Sequence, residues 1–204
     1  MSVHRRNVVY FDTPGFVNTS SVVDAVRERI SLGDVECVVV PVTTGRTAEI
    51  FTRELGNKIN VITISEEEVI LAFKHLTIPT LSSAEESELT RKHLDDLPEE
   101  IPEWLRRDTI DMSLLPFSGK TYDAVREILY AFGQGMKVAV EVALAAVELG
   151  KVKPQVKIIA VGGTGEGADT AIVVRTAVRN EAFGRDHEKR LFIQEILTMP
   201  TEKL

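Results

Sequence analysis

The sequence predicts an α/β protein built in three layers, with helices on both faces of one mostly parallel sheet. Short β-branched runs alternate along the chain with segments of helical periodicity. Those runs are apolar nearly throughout, as strands covered on both faces are, and polar glycine-bearing loops follow several of them. Crossovers in such a sheet are right-handed. With 204 residues, 44% of them hydrophobic, the chain is expected to form one domain over residues 1–204.

Val8-Val9-Tyr10-Phe11 reads as a brief strand, and Asp12-Thr13-Pro14-Gly15 as the turn after it. Ser21-x-x-Asp24 has the spacing of a capping box, and Val22, Val23, Val26 and Ile30 recur at helical intervals until Gly33. Residues 35–42 form a buried strand. A helix follows from about Thr47 to Leu55, closed by Gly56. Residues 59–64 are a second buried strand, and Ser65-x-x-Glu68 opens another helix with capping-box logic. Residues 110–117 hold a third strand on this reading. From Thr121 to Gly150 the pattern is helical, interrupted at Gly133-Gln134-Gly135. Residues 156–161 are again strand-like, and Thr170 to Val174 returns antiparallel after a glycine loop. No internal repeat or low-complexity segment is present.

The net charge of −7 is unevenly placed. Residues 84–111 carry ten acids against four bases, so −6 of it lies in what reads as an acidic helical insertion, broken by Pro98 and Pro102. The remainder is nearly neutral. No apolar run approaches the ~20 residues of a membrane span, and the first residues lack the apolar stretch of a signal peptide. A cytoplasmic protein without a membrane partner is therefore expected. Acidity and the lack of a Lys/Arg run argue against nucleic acid. A single cysteine, Cys37, allows neither an internal disulfide nor a thiolate zinc site, and it centres a buried strand, where cysteine acts as a small apolar residue. His4, His75, His93 and His187 lack metal-ligand spacing, so no metal is expected.

Ligands of open α/β sheets bind outside the carboxyl ends of the strands, and three loops fall at such places. Thr43-Thr44-Gly45-Arg46-Thr47 offers helix-start N–H groups, hydroxyls and a guanidinium fork suited to phosphate, or else is a cap with a surface arginine. The segment Gly162, Gly163, Thr164, Gly165, Glu166, Gly167, Ala168, Asp169 brings backbone close to a flat or charged group, or simply connects two strands. A β-rich run follows it, so it is not the dinucleotide fingerprint of a Rossmann fold, and GxxxxGK[ST] is absent. In Phe132-Gly133-Gln134-Gly135-Met136-Lys137 two glycines cost a helix ~1 kcal/mol each, which either a ligand at the restarted helix or a tight corner would explain. Ser118-Gly119-Lys120 could add a basic contact, although a turn accounts for it. Lys137, Glu141 and Glu148 share a face, expected to be a solvated stripe with no catalytic part for Glu141. No Ser/His/Asp or Cys/His arrangement can be read, and no catalytic residue is assigned.

Four blocks together resemble a known family. Tyr10-Phe11 with Gly15, Asn18 and Thr19; residues 40–48; residues 132–141; and residues 161–171 are similar in order and spacing to the archaeal stand-alone proteins related to the pyruvate kinase C-terminal domain. The resemblance covers the chain apart from the acidic insertion. It implies a three-layer α/β/α sandwich whose mixed sheet has one antiparallel edge strand, and the absence of the pyruvate kinase active site, which lies in a barrel domain. In pyruvate kinase the loop similar to residues 43–47 binds a sugar phosphate, and relatives of the stand-alone proteins hold flavin mononucleotide (FMN). The implied binding residues are Asn18, Thr43, Thr44, Gly45, Arg46, Thr47, Gly133, Gln134, Gly135, Lys137, Gly162, Gly163, Thr164, Gly165, Gly167 and Asp169. A homo-oligomer is implied by the same analogy. Members of the family carry histidines after the second and third strands, where this chain has Ser65 and Phe117-Ser118-Gly119-Lys120. If those histidines take part in chemistry, this chain binds without catalysing.

The expected function is binding of a phosphorylated small ligand, foremost FMN, with an oxidoreductase activity that no residue identifies. The alternative is a regulatory module that senses a sugar phosphate or nucleotide and docks on a partner through residues 84–111. A phosphotransfer enzyme ranks last, because no carboxylate pair or Walker-type lysine is present to manage magnesium and phosphate.

Overall fold

The structure, a computed structural model, describes residues 5–65 and 127–202 together with Val3, Glu67, Glu68 and Val125. The expected strand at 110–117 and the acidic insertion at 84–111 lie outside the described residues. Six strands, β1 (Val9–Phe11), β2 (Cys37–Val42), β3 (Asn60–Ser65), β4 (Lys157–Gly162), β5 (Thr170–Arg175) and β6 (Phe192–Pro200), form one sheet in the order β1-β6-β5-β4-β2-β3. Helices α1 (Thr19–Ile30) and α2 (Arg46–Leu55) cover one face, and α3 (Gln134–Glu148) covers the other. A 3-10 turn, Phe16–Asn18, leads into α1.

The three-layer α/β class stands as expected, with a mostly parallel mixed sheet. β5 is antiparallel to both neighbours, and this is the strand the sequence has returning after the glycine loop. It lies two places in from the edge, because β6 and β1 continue the sheet beyond it. β6 escapes the sequence reading altogether.

Two cores explain why the strands are apolar on both faces. Val38 and Val40 of β2, Ile159 and Val161 of β4, and Ala171 and Val173 of β5 meet Val22, Val26 and Phe51 of α1 and α2. The alternating partners, Cys37 and Val39, Ile158 and Ala160, Ile172 and Val174, pack with α3 instead. Period-two side-chain alternation thus feeds two separate apolar layers.

Local signals divide. The capping box at Ser65 forms in full: the Glu68 N–H donates to Ser65 Oγ at 3.2 Å, and the Ser65 N–H donates to Glu68 Oε2 at 3.1 Å. The box at Ser21 does not form, since α1 already begins at Thr19 with no side-chain cap and Ser21 sits inside its first turn. The break before α3 is real, with Gly133 at φ 104°.

The solvated stripe on α3 is corrected. Lys137 and Glu141 are each only 2% exposed, and their charges meet across one helical turn at 3.2 Å. From Gly135 to Val147 every residue of α3 is buried, so the pair is an internal one. Glu148 accepts the backbone N–H of Arg179 at 2.8 Å.

Candidate functional site

At the carboxyl end of β2, Pro41 has no N–H to offer a neighbouring strand. The pairing of β2 with β4 runs through Val38 and Val39 and stops short of it. Beyond that point the pairing ends, and a small cleft of about 30 Å³ lies between their loops. The chain leaves β2 towards β3 on one side and leaves β4 towards β5 on the other, so the cleft sits where the strand order reverses.

One wall is Thr43, Thr44, Gly45 and Thr47. Gly45 adopts φ 83°, a left-handed conformation that glycine tolerates, and turns the chain directly into α2 without any side-chain cap. The first intrahelical bond is from the Glu49 N–H to Gly45 O, which leaves the N–H groups of Arg46, Thr47 and Ala48 without helical acceptors at the positive end of the helix dipole.

The facing wall is Gly163, Gly165, Glu166 and Gly167, with Val138 of α3 behind. Asp169, fully buried, holds this loop. Its Oδ2 accepts the N–H of Thr164 at 2.9 Å and that of Gly15 at 3.0 Å, and its Oδ1 accepts the Thr170 hydroxyl at 2.8 Å. Nearby, the Ala168 N–H donates to Thr19 Oγ1, and Asn18 Nδ2 donates to Thr13 O. Asp169 and Thr19 therefore fasten the segment after β1 to the loop after β4, and Asn18 braces the first of these internally.

The glycines divide by task. Gly165, at φ 70°, faces open space, as Gly45 does. A Cβ on Gly162 would collide with the carbonyl oxygen of Gly135, and one on Gly135 would collide with Asp169 and Thr170. Gly162 lets the N-terminus of α3 lie backbone-to-backbone on β4, and Gly135 leaves room there for the side chains of Asp169 and Thr170. A Cβ on Gly167 would strike the backbone of Phe16.

The structure thus brings the first and third predicted loops together around one cleft. The second, residues 133–137, packs behind them: Gly133, Gln134, Gly135 and Lys137 do not line the cleft, and the Lys137 ammonium lies 5.3 Å from the centre of the Tyr130 ring. Arg46 also lies outside the lining. Its guanidinium stacks 4.2 Å from the centre of the Phe16 ring, at the rim and exposed.

Neither Phe16 nor Glu166 is among the predicted residues, although Glu166 lies inside the glycine loop singled out and Phe16 directly follows the turn at 12–15. Among the described residues, Glu166 is the only carboxylate lining the cleft. Phe16 follows a turn sequence, and nothing local tells that Gly167 and Arg46 come to meet it. Chemically the cleft offers backbone N–H groups and hydroxyls, without a nucleophile and base in contact. Among the described residues no group of three His, Cys, Asp or Glu side chains is placed to hold a metal.

Fold and cleft together define an α/β protein with a polar, glycine-lined crevice at the carboxyl ends of β2 and β4. A scan against models of known protein families finds no match. Among the described residues, no helix is long and apolar enough to cross a membrane.

Proposed function

We propose that the protein binds a small phosphate ester, with its phosphate at the N-terminus of α2 and its body along the loop of residues 163–167. The observation that supports this reading is the end of the β2–β4 pairing short of Pro41, which sets helix-start N–H groups, threonine hydroxyls and glycine backbone around one crevice. Arg46 adds a cation whose position is held by Phe16. FMN is the leading candidate on the family resemblance, and an oxidoreductase role would follow from the flavin's own chemistry.

One observation favours a second reading. Apart from Pro41 and Val138 the lining is polar or glycine, whereas ligand pockets are lined predominantly by apolar and aromatic groups. That suits a sugar phosphate sensed by a non-catalytic module.

Titrating the purified protein with FMN, riboflavin, a hexose phosphate and inorganic phosphate separates the two. Saturation to one hundred times Kd stabilises by ~2.7 kcal/mol, a rise of roughly 5–10 °C in Tm. FMN stabilising where riboflavin does not, with an altered visible spectrum, supports the flavin reading. Stabilisation by the hexose phosphate alone supports the second. For either ligand, Arg46→Ala weakens binding about fivefold, the scale of one exposed charge contact. Equal affinity of the variant removes Arg46 from the site, and no response to any phosphate ester refutes the proposal.

A further inference from the structure

At the opposite end of the sheet from the cleft, a second cavity of about 230 Å³ lies between the chain entering β1 and the last turns of α1. Leu197 of β6 lines it, and Val9 and Leu32 leave apolar surface exposed beside it, at 37% and 50% of their area. Three arginines and one carboxylate, Glu28, also line it.

The arginines are not equivalent. Arg29 is 4% exposed and has its donors committed: Nε and Nη2 reach Glu195 at 2.9 and 2.8 Å, while Nη1 and Nη2 reach Asp34 at 2.5 and 3.1 Å. It builds the wall and offers a ligand nothing. Arg6 Nε stands 3.6 Å from Glu195, at the edge of that network. Arg5 is exposed and makes no ion pair among the described residues. Positive charge therefore sits beside a cavity whose walls are apolar only in part, at Val9, Ala25, Leu32 and Leu197, with Asn7, Ser31 and Glu28 supplying polar surface.

We propose that this cavity binds a short-chain amphipathic carboxylate, with its alkyl chain against Val9, Leu32 and Leu197 and its head at Arg5 and Arg6. Size sets the class: at about 30 Å³ per water-sized group, the cavity of about 230 Å³ holds roughly eight non-hydrogen atoms, enough for the alkyl chain of octanoate with its carboxylate at the mouth. Drug-sized ligands need about 300–1,000 Å³. The charge at the mouth selects an anion over the neutral alcohol of equal length. The site is independent of the phosphate ester proposed above.

The test is amide NMR of the intact chain titrated with sodium octanoate, octanol and acetate. Octanoate shifts the amides of Val9, Glu28 and Leu32, acetate shifts none of them, and octanol binds about fivefold more weakly. Arg5→Gln, at an exposed side chain that makes no ion pair among the described residues, weakens octanoate by about the same factor, and Glu28→Gln tightens it. A spectrum unchanged at these amides overturns the proposal. So does equal affinity for octanoate and octanol, or equal octanoate affinity in wild type and Arg5→Gln. FMN leaves these amides unmoved whichever way the first proposal falls.

Discussion

Replacing Gly162 by alanine adds one methyl group at the contact on which the candidate site rests. The new carbon would collide with the Gly135 carbonyl oxygen and the Ala139 amide nitrogen, both backbone atoms of α3. No side chain can swing aside, so either α3 or β4 has to move. Overpacking costs roughly 1–3 kcal/mol, and the rigidity of both partners puts this case near ~3 kcal/mol. For a chain of this length that lowers Tm by roughly 6–12 °C, at 2–4 °C per kcal/mol. Gly135→Ala sharpens the argument, because helix propensity alone predicts a gain of up to ~1 kcal/mol. Its Cβ would meet Asp169 and Thr170, whose polar atoms are pinned by the bonds at 2.8–3.0 Å described above, so a net loss is expected. Both changes push α3 from the same sheet surface, and the double variant should lose less than the sum of the singles. Thermal unfolding followed by circular dichroism measures all three. A Tm for Gly162→Ala within about 2 °C of wild type, or a stabilised Gly135→Ala, would refute close packing as the reason for these glycines.

Two further outcomes are expected. Hydrogen bonding to Arg29, and then to Lys157, holds the Asp34 carboxyl below its ordinary value. A depressed pKa contributes stability that is complete above the unfolded value of about 3.9 and is lost as the pH falls below it. Asp34 is exposed enough for solvent to screen the pair, so Asp34→Asn costs ~1 kcal/mol at pH 7. Urea titrations should show the gap from wild type starting to narrow as the pH falls below about 4, and a gap constant with pH would contradict the assignment. Burial, and secondarily the charge of Glu36, pushes the Cys37 thiol up to about 11. Ellman's reagent at pH 8 should therefore label the protein only after denaturation. Rapid labelling of the native protein would show that β2 opens.

Strands β2, β3, β4 and β5 were legible because each is apolar on both faces, and the two opposed cores are the reason. The reciprocal box at Ser65 and the break at Gly133 were legible because their causes are local. β6 was not: Ile193 and Gln194 are exposed, and its partners β5 and β1 are supplied by distant segments. The Lys137–Glu141 pair looked solvated because sequence spacing reports which residues share a face and says nothing of what covers it. The two outer loops of the site could be named from their hydroxyls and glycines. Their convergence could not, because it depends on where β2 and β4 stop pairing and on Asp169 reaching the Gly15 N–H. The same limit hid Phe16.

The place of β1 has a consequence for the order in which the chain can assemble. Among the described residues its three residues pair only with β6, Val9 opposite Thr198 and Phe11 opposite Pro200, and the carbonyl of Phe11 accepts the N–H of Thr201 at 2.8 Å. On a ribosome making the chain from its amino end, the first strand has no partner until nearly two hundred further residues have been added. The neighbouring pair β2 and β3 can meet as soon as α2 between them is complete. Closure of so long a loop is entropically slow to be repaid. The sheet is thus set to grow from the β2 side, with the amino-terminal arm, and the cavity beside it, completed last.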